Sequence, residues 1–462
     1  MNKLNFLIIV ADQQRYDCIG YAKDYPVITP NIDKLAAEGM WFNNAYTPIP
    51  VCCPARQTFL NGQRAEAFGA LWNYGIALET QALSPEAYSW VRELEPLGYK
   101  SSFIGKWSGH PVFGPESYGF HDTVGLAQYT SYRQKKYPER KYQKGWLGEV
   151  DTIPYQENIS HWLASQAITK ITEYSDIHQP WHLRLDFPGP HLPCRPSPEF
   201  AGLYTADKIP KWRSFHEDFH NKPYIQRQQL VNWDVENFTW EDWAESVALY
   251  YGMVSEIDHA IGTVLDSLDS LGIAENTIVI YTADHGDMCG GHKMVDKHYV
   301  LYDDVVKVPL IIRWPREIAA GARCNEFVCH FLDLPPTILE ILGLATPEFF
   351  HGKSLMDLLK GINPAVWRDE VVSTYNGQQF GLYTQRMIRN HDFKYIWNTT
   401  DIDELYDLQQ DPEELHNVIY EKTHQSLIAT LRRKLYETLR QEGDGLVNNE
   451  WMRHQLLAGK KI

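Results

Sequence analysis

The most informative part of the sequence is the segment Val51-Cys52-Cys53-Pro54-Ala55-Arg56-Gln57-Thr58-Phe59-Leu60-Asn61-Gly62. Pro54 suits the first turn of a helix, and Arg56 stands four residues after Cys52. A helix that begins here therefore brings Cys52 and Arg56 to one face. Taken alone, Cys52-Cys53-Pro54 predicts only two buried, unreactive thiols before a helix. Polar clusters elsewhere in the chain favour a chemical role for Cys52.

Two apolar runs each lead into acidic residues. Residues 4–10 form a predicted strand buried on both faces, followed by Asp12-Gln13, and residues 277–282 form a second one, followed by Asp284-His285. Ligands of open α/β sheets bind at the carboxyl ends of the strands. Carboxylates and an imidazole at two such ends indicate a site for a divalent cation. For Asp12, a helix N-cap is the alternative role.

The composition narrows the class of protein. With 462 residues, 44% of them hydrophobic and 22% charged, the chain is typical of a globular protein with one large core and a smaller appendage. The net charge of −16 argues against a nucleic-acid partner and gives no general attraction for anions. Any site for an anionic substrate must therefore concentrate cations or a metal locally.

The cysteines and the N-terminal residues indicate the cellular compartment of the protein. Seven cysteines, an odd number, show no disulfide spacing, which indicates a reducing environment. The apolar run of residues 4–10 is too short for a signal peptide, and no apolar stretch is long enough to span a membrane. We predict a cytoplasmic protein without a membrane partner, unless a leader has been removed.

Other segments predict the surroundings of a site. Residues 129–146 are polar and rich in Tyr, Lys and Arg, which indicates an insertion outside the core with no readable role. Residues 200–245 are rich in Trp, Phe and His and suit either a lid over a substrate or packing. Residues 250–271 carry apolar side chains at helical spacing. Near the C-terminus, residues 387–396 predict a hairpin and residues 425–442 a long helix.

Together these motifs resemble those of one enzyme family over almost the whole chain. Cys52-x-Pro54-x-Arg56, followed by Leu60-x-Gly62, resembles the signature at which type I sulfatases, members of the alkaline phosphatase superfamily, convert a cysteine into formylglycine. The resemblance implies an α/β fold, an alkaline-phosphatase-like sandwich with a central, mostly parallel sheet. A small antiparallel α+β subdomain is expected at the C-terminus. We expect a catalytic domain over 1–370 and the subdomain over 371–462.

The resemblance implies that Cys52 is replaced by an aldehyde. A thiolate that had taken up a sulfate or phosphate group would have to be freed by water at the same hindered centre. A hydrated aldehyde avoids this, because one hydroxyl attacks and the other, once deprotonated, collapses to expel the anion. The fixed cation of Arg56 is expected to hold the hydrate. The implied partner is a formylglycine-generating, sulfatase-maturating enzyme.

The same resemblance implies a metal site made of Asp12, Gln13, Cys52, Asp284 and His285. Many family members have a second Asp where this chain has Gln13. Oxygen-rich ligation favours Ca²⁺, with Mn²⁺ or Mg²⁺ as alternatives. His285 stands where many relatives have an Asn, and its imidazole shifts the preference among these ions toward Mn²⁺.

The resemblance also assigns two roles after the strand that ends near residue 105. Gly105-Lys106-Trp107 is similar to the family's Gly-Lys-Trp-His, whose Lys contacts the sulfate. Ser108 stands where the His is usual, and His110 is the candidate base in its place. A surface lysine is the alternative for Lys106.

Three more residues complete the predicted substrate site. His191, boxed between Pro190 and Pro193, resembles the His that meets the leaving-group oxygen, and we predict it to be the general acid. Lys297 matches a sulfate-binding Lys, with Lys293 as the nearby alternative, and Asn73 is a further substrate contact. A His that packs in a loop is the alternative for His191.

The predicted function is hydrolysis of a sulfate ester of an aryl, carbohydrate or other alkyl alcohol, in a small molecule or a saccharide. A phosphonate monoester hydrolase or phosphodiesterase is the nearer alternative, because such formylglycine enzymes resemble this chain at Asp12-Gln13, Asp284-His285 and Asn73. The farther alternative is a catalytically inactive binding protein with an unmodified Cys52.

Overall fold

The computed structural model describes residues 3–75, 80–362, 364–378 and 381–461. Within these ranges the strands are β1 (Asn5–Asp12), β2 (Met40–Tyr46), β3 (Lys100–Gly105), β4 (Asp122–Gly125), β5 (Trp181–Pro190), β6 (Thr277–Ala283), β7 (Leu310–Arg313), β8 (Ala322–Cys329), β9 (Val371–Tyr375), β10 (Gln385–Arg389), β11 (Phe393–Asn398) and β12 (Glu404–Asp407). The α-helices are α1 (Pro30–Glu38), α2 (Cys52–Asn61), α3 (Ala65–Phe68), α4 (Leu126–Lys136), α5 (Ile159–Asp176), α6 (Pro198–Ala201), α7 (Tyr224–Asn232), α8 (Trp240–Ser270), α9 (Asp303–Val306), α10 (His330–Ile341), α11 (Met356–Leu359), α12 (Gln425–Gln441) and α13 (Glu450–Ala458).

The larger sheet has eight strands in the order β4-β3-β5-β1-β6-β7-β2-β8. Strand β1 pairs in parallel with β5 on one side and β6 on the other. Only β7, between β6 and β2, pairs antiparallel within the described part of this sheet. The prediction of a central, mostly parallel sheet is confirmed.

Strand β1 lies between two cores, as its continuous apolar run requires. Phe6, Ile8 and Val10 pack into the core on one face of the sheet. Leu7 and Ile9 alternate with them and pack into the core on the other face. Burial of one such aliphatic side chain contributes about 1.5–3 kcal/mol, so the sheet centre is a rigid platform for the residues that follow β1.

Helix α2 is buried along its whole length. Phe59 stacks on Phe331 of α10 with ring centroids 4.9 Å apart, and Trp90 donates its indole N–H to the Phe59 carbonyl at 2.8 Å. The helix ends at Gly62, whose φ of 80° is left-handed. A Cβ at Gly62 would lie 2.6 Å from the ring of Phe350, so glycine is required there on two grounds.

The second sheet is antiparallel, with the order β12-β11-β10-β9. The predicted hairpin is confirmed, because Met387 of β10 pairs with Ile396 of β11. Helix α12 packs on this sheet through Leu431 and Leu435, which share a separate core with Trp397. The division of the chain at residue 370 remains a prediction.

Helix α8 begins at Trp240, earlier than the expected 250. Trp212, Trp240 and Trp243 are buried, so much of the aromatic content of residues 200–245 serves packing. None of the described helices is both long and apolar enough to cross a bilayer.

Candidate active site

The first residue of α2 lies at the carboxyl edge of the central sheet. The sulfur of Cys52 is 3.2 Å from His285 Nε2 and 3.8 Å from Asp12 Oδ1. Asp12 ends β1 and Asp284 follows β6, and these neighbours are parallel, so their carboxylates meet at one edge. One ligand atom from each of Asp12, Cys52, Asp284 and His285 lies within 4.8 Å of the other three.

The His285 ring is oriented by its own backbone. Its Nδ1 lies 2.9 Å from the carbonyl oxygen of Gly286, which only accepts, so Nδ1 carries the proton. The lone pair of Nε2 then faces Cys52 and Asp284. All four residues of this cluster are buried. The set of two carboxylates, one imidazole nitrogen and residue 52 fits a divalent cation that prefers oxygen and nitrogen ligands.

Arg56 joins three buried carboxylates one turn along α2. It donates from Nη2 to Asp12 at 2.7 Å, from Nε to Asp284 at 3.0 Å and from Nη1 to Asp186. Nη1 also donates to the carbonyl oxygen of Lys106 at 3.0 Å. Burial opposes the charge of Arg56, but the three carboxylates hold its pKa above the ordinary value. Its recorded hydrogen bonds go to the neighbours of Cys52, so we infer that Arg56 positions the carboxylates.

Lys106 flanks Cys52 on the side of β3. Its Nζ is 2.6 Å from Asp12 Oδ2 and 3.7 Å from Cys52 Sγ. Burial and Asp12 oppose ionisation of the Cys52 thiol, but Lys106, Lys297 and His285 outweigh them and hold its pKa well below the ordinary value. Position 52 is therefore strongly electropositive in a protein whose net charge is −16.

Lys297 and His191 form a second group of predicted site residues. Lys297 Nζ donates to Gln13 Oε1 at 2.8 Å and to Asp296 at 3.0 Å, and it lies 3.0 Å from His191 Nε2. His191 Nδ1 is 2.6 Å from the carbonyl oxygen of Leu192, so Nδ1 carries a proton and Nε2 accepts from the lysine. Burial opposes the charge of Lys297, but Asp296 and the other nearby anions hold its pKa above the ordinary value.

The Gln13 amide connects these two groups. Its backbone N–H donates to Asp284 at 3.0 Å, and its side-chain nitrogen donates to Asp287 at 2.7 Å and to Asp296 at 2.9 Å. Its φ of 66° is left-handed, a costly conformation for a residue with a side chain. The amide oxygen faces Lys297, so the structure places Gln13 between the lysine and the predicted metal site.

Asn73 and His110 lie farther out. Asn73 Oδ1 accepts from the backbone N–H of Cys53 at 2.9 Å and thereby supports the first turn of α2. His110 Nδ1 accepts from the backbone N–H groups of Val112 and Phe113, both at 3.0 Å. Among the described contacts, none joins His110 to Cys52, and its role as the base stays a prediction.

Three acidic residues belong to the site without having been predicted. Asp186 lies in β5 and binds Arg56, while Asp287 and Asp296 hold the Gln13 amide. Asp186 had no clear signal in the sequence, because His182, Arg184 and Asp186 alternate with apolar residues as on a strand with one polar face. Asp287 shares the segment of Asp284, and Asp296 precedes Lys297, but neither position reveals a partner.

Comparison with known families identifies the chain. A family model described as Sulfatase matches residues 4–344, which include every site residue above. The chain belongs to the sulfatase family. A second model, described as N-sulphoglucosamine sulphohydrolase, C-terminal, matches residues 290–441. The predicted family and the predicted enzyme class, a sulfuric ester hydrolase, are confirmed.

Known proteins resemble this sulfatase over nearly its whole length. An arylsulfatase of Clostridium perfringens is 28% identical, covering 100% of this chain and 98% of its own. The phosphonate monoester hydrolase of Agrobacterium radiobacter superposes with a TM-score of 0.82 at 24% identity, covering 95% of this chain and 96% of its own. A structure in complex with its substrate D-glucosamine-2-N,6-O-disulfate superposes with a TM-score of 0.79 at 22% identity, covering 97% and 100%. The alkaline-phosphatase-like fold is thus confirmed.

Proposed function

We propose that this sulfatase hydrolyses sulfate esters of saccharide or aryl alcohols with a formylglycine made from Cys52 and a divalent cation. The observation that carries the proposal is the setting of position 52. Its side chain is buried at the start of α2, between His285 and Lys106, at the edge where Asp12 and Asp284 meet. A buried structural thiol has no need of such a cluster.

The proposed cation would be held by Asp12, Asp284, His285 and residue 52. Ca²⁺ is favoured by the carboxylates, with Mn²⁺ or Mg²⁺ as alternatives and His285 as the feature that suits Mn²⁺. When bound, the cation would supply Lewis acidity that stabilises negative charge on the sulfate oxygens. Gln13 remains a candidate ligand, in competition with its hydrogen bond to Lys297.

The proposed aldehyde at position 52 requires a maturating enzyme as a partner. Its hydrate would supply the attacking hydroxyl. All seven cysteines, Cys52 included, are free thiols in the structure, which fits a reducing compartment. A cytoplasmic location is part of this proposal.

The chain's own residues would bind and orient the sulfate. Lys106 and Lys297 both lower the pKa of the Cys52 thiol, and each has other partners that hold its ammonium group in place. Their positive charges would stabilise the charge that develops on the transferring group. Once the substrate draws Lys297 away, His191 Nε2 would take a proton from bulk solvent and give it to the alcohol oxygen as the bond from that oxygen to sulfur breaks.

The proposed substrate class rests on chemistry and on likeness. The C. perfringens relative is named an arylsulfatase, and one structural neighbour holds a disulfated glucosamine as its substrate. Both kinds of ester place a ring beside the sulfate.

The experiment that tests this proposal compares kcat/KM for an aryl sulfate, the matched phosphonate monoester and the matched phosphodiester. The protein is first shown by mass spectrometry to carry the aldehyde at position 52. We expect the rate on the sulfate to dominate. A dominant rate on a phosphorus ester would assign the site to the alternative, which the phosphonate hydrolase among the structural neighbours represents.

Removal of the metal gives a second test. Chelation followed by gel filtration is expected to lower kcat by about 10²-fold or more, because the Lewis acid that would stabilise negative charge on the sulfate oxygens is lost. Added Ca²⁺ should restore the rate, and Asp284→Asn should stay slow at every Ca²⁺ concentration. Full turnover by protein shown by elemental analysis to be metal-free would contradict the metal site.

Replacement of the proposed acid gives a third test. We expect His191→Gln to lower kcat by about 10²–10⁴-fold on a sugar sulfate, whose alcohol leaves only when protonated. For an aryl sulfate with an acidic phenol, the same variant should show a much smaller fall in kcat. His178→Gln, at an exposed position, serves as the control. Equal losses on both substrates would show that His191 is not the acid.

A further inference from the structure

A cavity opens from the catalytic residues toward the polar insertion. Its volume is about 420 Å³, and Lys106 and His191 form one part of its wall. Arg133 of α4 and Tyr142 form another part, and Arg195, which follows β5, lines it as well. The segment whose role the sequence left open therefore forms a wall of the space beside the sulfate site.

The acidic side chains near this wall are already occupied. Asp151 accepts from Arg140 Nε at 3.2 Å and from the Tyr142 hydroxyl at 2.7 Å. Glu149 accepts from two backbone N–H groups and lies 3.8 Å from Arg140. Glu256, also in the wall, accepts from Ser197. Burial raises the pKa of Glu256 to about 7, so its carboxyl is only partly ionised at neutral pH.

Two guanidinium groups in the same wall have no carboxylate at ion-pair distance. Neither Arg133 nor Arg195 forms an ion pair with any residue that the structure describes, although Arg195 is near enough to Glu149 to help lower the pKa of that carboxyl. Within the described part of the chain, Arg133 donates one long hydrogen bond of 3.4 Å, to the Tyr142 hydroxyl. The Nε of Arg195 is buried and has no hydrogen-bond partner. A buried guanidinium N–H without an acceptor is costly, which points to an acceptor supplied from outside the chain.

The Tyr142 side chain holds these cations in place. The guanidinium carbons of Arg195 and Arg140 lie 3.8 Å and 4.5 Å from the ring centroid, while that of Arg133 lies 5.5 Å away and its Nη1 contacts the Tyr142 hydroxyl. Stacking on a ring fixes the plane of a guanidinium while its N–H edge stays free for a planar or tetrahedral anion. Arg133 and Arg195 are therefore arranged to bind an anion.

We propose that Arg133 and Arg195 form a second anion subsite, so that the preferred substrate is a sulfated saccharide with a further anionic group, a carboxylate or a second sulfate. This inference rests on the proposed function, because the first sulfate must lie at Lys106 and Lys297. In a chain with a net charge of −16, two cations in one cavity that form no ion pair with any described residue are explained by such a ligand.

The test compares substrates that differ by one negative charge. The wild-type enzyme, Arg133→Gln/Arg195→Gln and the control Lys135→Gln are assayed on N-acetylglucosamine 6-sulfate, on glucosamine 2-N,6-O-disulfate and on a monosulfated disaccharide with a uronate. Lys135 is exposed on the same helix and does not line the cavity. The readouts are the ratio of kcat/KM between doubly and singly charged substrates and the Kd of each sugar for the same variants built on Cys52→Ala.

We expect the wild-type enzyme to favour at least one doubly charged substrate, and the double variant to lower that ratio by at least about tenfold. The disulfate and uronate arms show which anion the subsite takes. An unchanged ratio in both arms, or an equal fall with Lys135→Gln, would overturn the inference. If no sulfate is turned over but the difference in Kd follows the arginines, the subsite stands and the proposed function fails.

Discussion

Cys52→Ala is expected to lower turnover of every sulfate ester by at least about 10⁴-fold, because it removes the side chain from which the nucleophile is made. Lys106 and Lys297 remain in the variant, so substrate binding should be largely retained. The fold should also be retained, since Cys52 is small and α2 is packed along its whole length.

Cys53→Ala is the matched control for this prediction. Cys53 is the adjacent buried thiol, and Asn73 binds its backbone N–H, which alanine keeps. We expect this variant to retain turnover within a few-fold, with thermal unfolding measured for both proteins. Turnover at the wild-type rate by well-folded Cys52→Ala protein would contradict the mechanism.

Arg56→Met is expected to lower the free energy of unfolding by about 3–5 kcal/mol, the cost of leaving buried charges without their partner. Asp284 would lose its guanidinium partner, whereas Asp12 keeps Lys106 at 2.6 Å and Asp186 keeps Arg184 at 2.9 Å. Methionine has a similar volume, so the loss comes mainly from charge. Urea unfolding of chelator-treated protein measures it.

Arg213→Met is the control for the loss of an arginine charge that is not buried. Arg213 is largely exposed and lies 3.6 Å from Glu413, so its removal should cost no more than about 1 kcal/mol. A loss for Arg56→Met as small as that of the control would show that the three carboxylates are neutralised in another way. Added Ca²⁺ is expected to recover part of the stability, because it would replace one positive charge.

The sequence was sufficient for features encoded locally. The apolar runs before Asp12 and Asp284 are continuous, so both strands and the edge that they share were predictable. Cys52 and Arg56 stand four residues apart and needed only a helix to share a face.

Features that depend on distant pairing were not predictable. Asp186 reaches Arg56 only because β5 lies beside β1, an order that periodicity does not give. The bond between Gln13 and Lys297 joins two loops through left-handed residues, Gln13 and Asp296, each with a φ of 66°. The start of α8 was missed because Trp240 belongs to an aromatic-rich region that suited a lid as well as packing.

The proposed mechanism requires an aldehyde at position 52, and the fraction of chains that carry this aldehyde can be varied. Coexpression with different amounts of a maturating enzyme, followed by mass spectrometry of the peptide containing Cys52, gives a series of preparations with known aldehyde content. If the aldehyde supplies the nucleophile, kcat per chain for an aryl sulfate rises in proportion to the aldehyde content and extrapolates to zero for protein that carries only the thiol. A kcat of fully unconverted protein equal to that of aldehyde-carrying protein would contradict this mechanism.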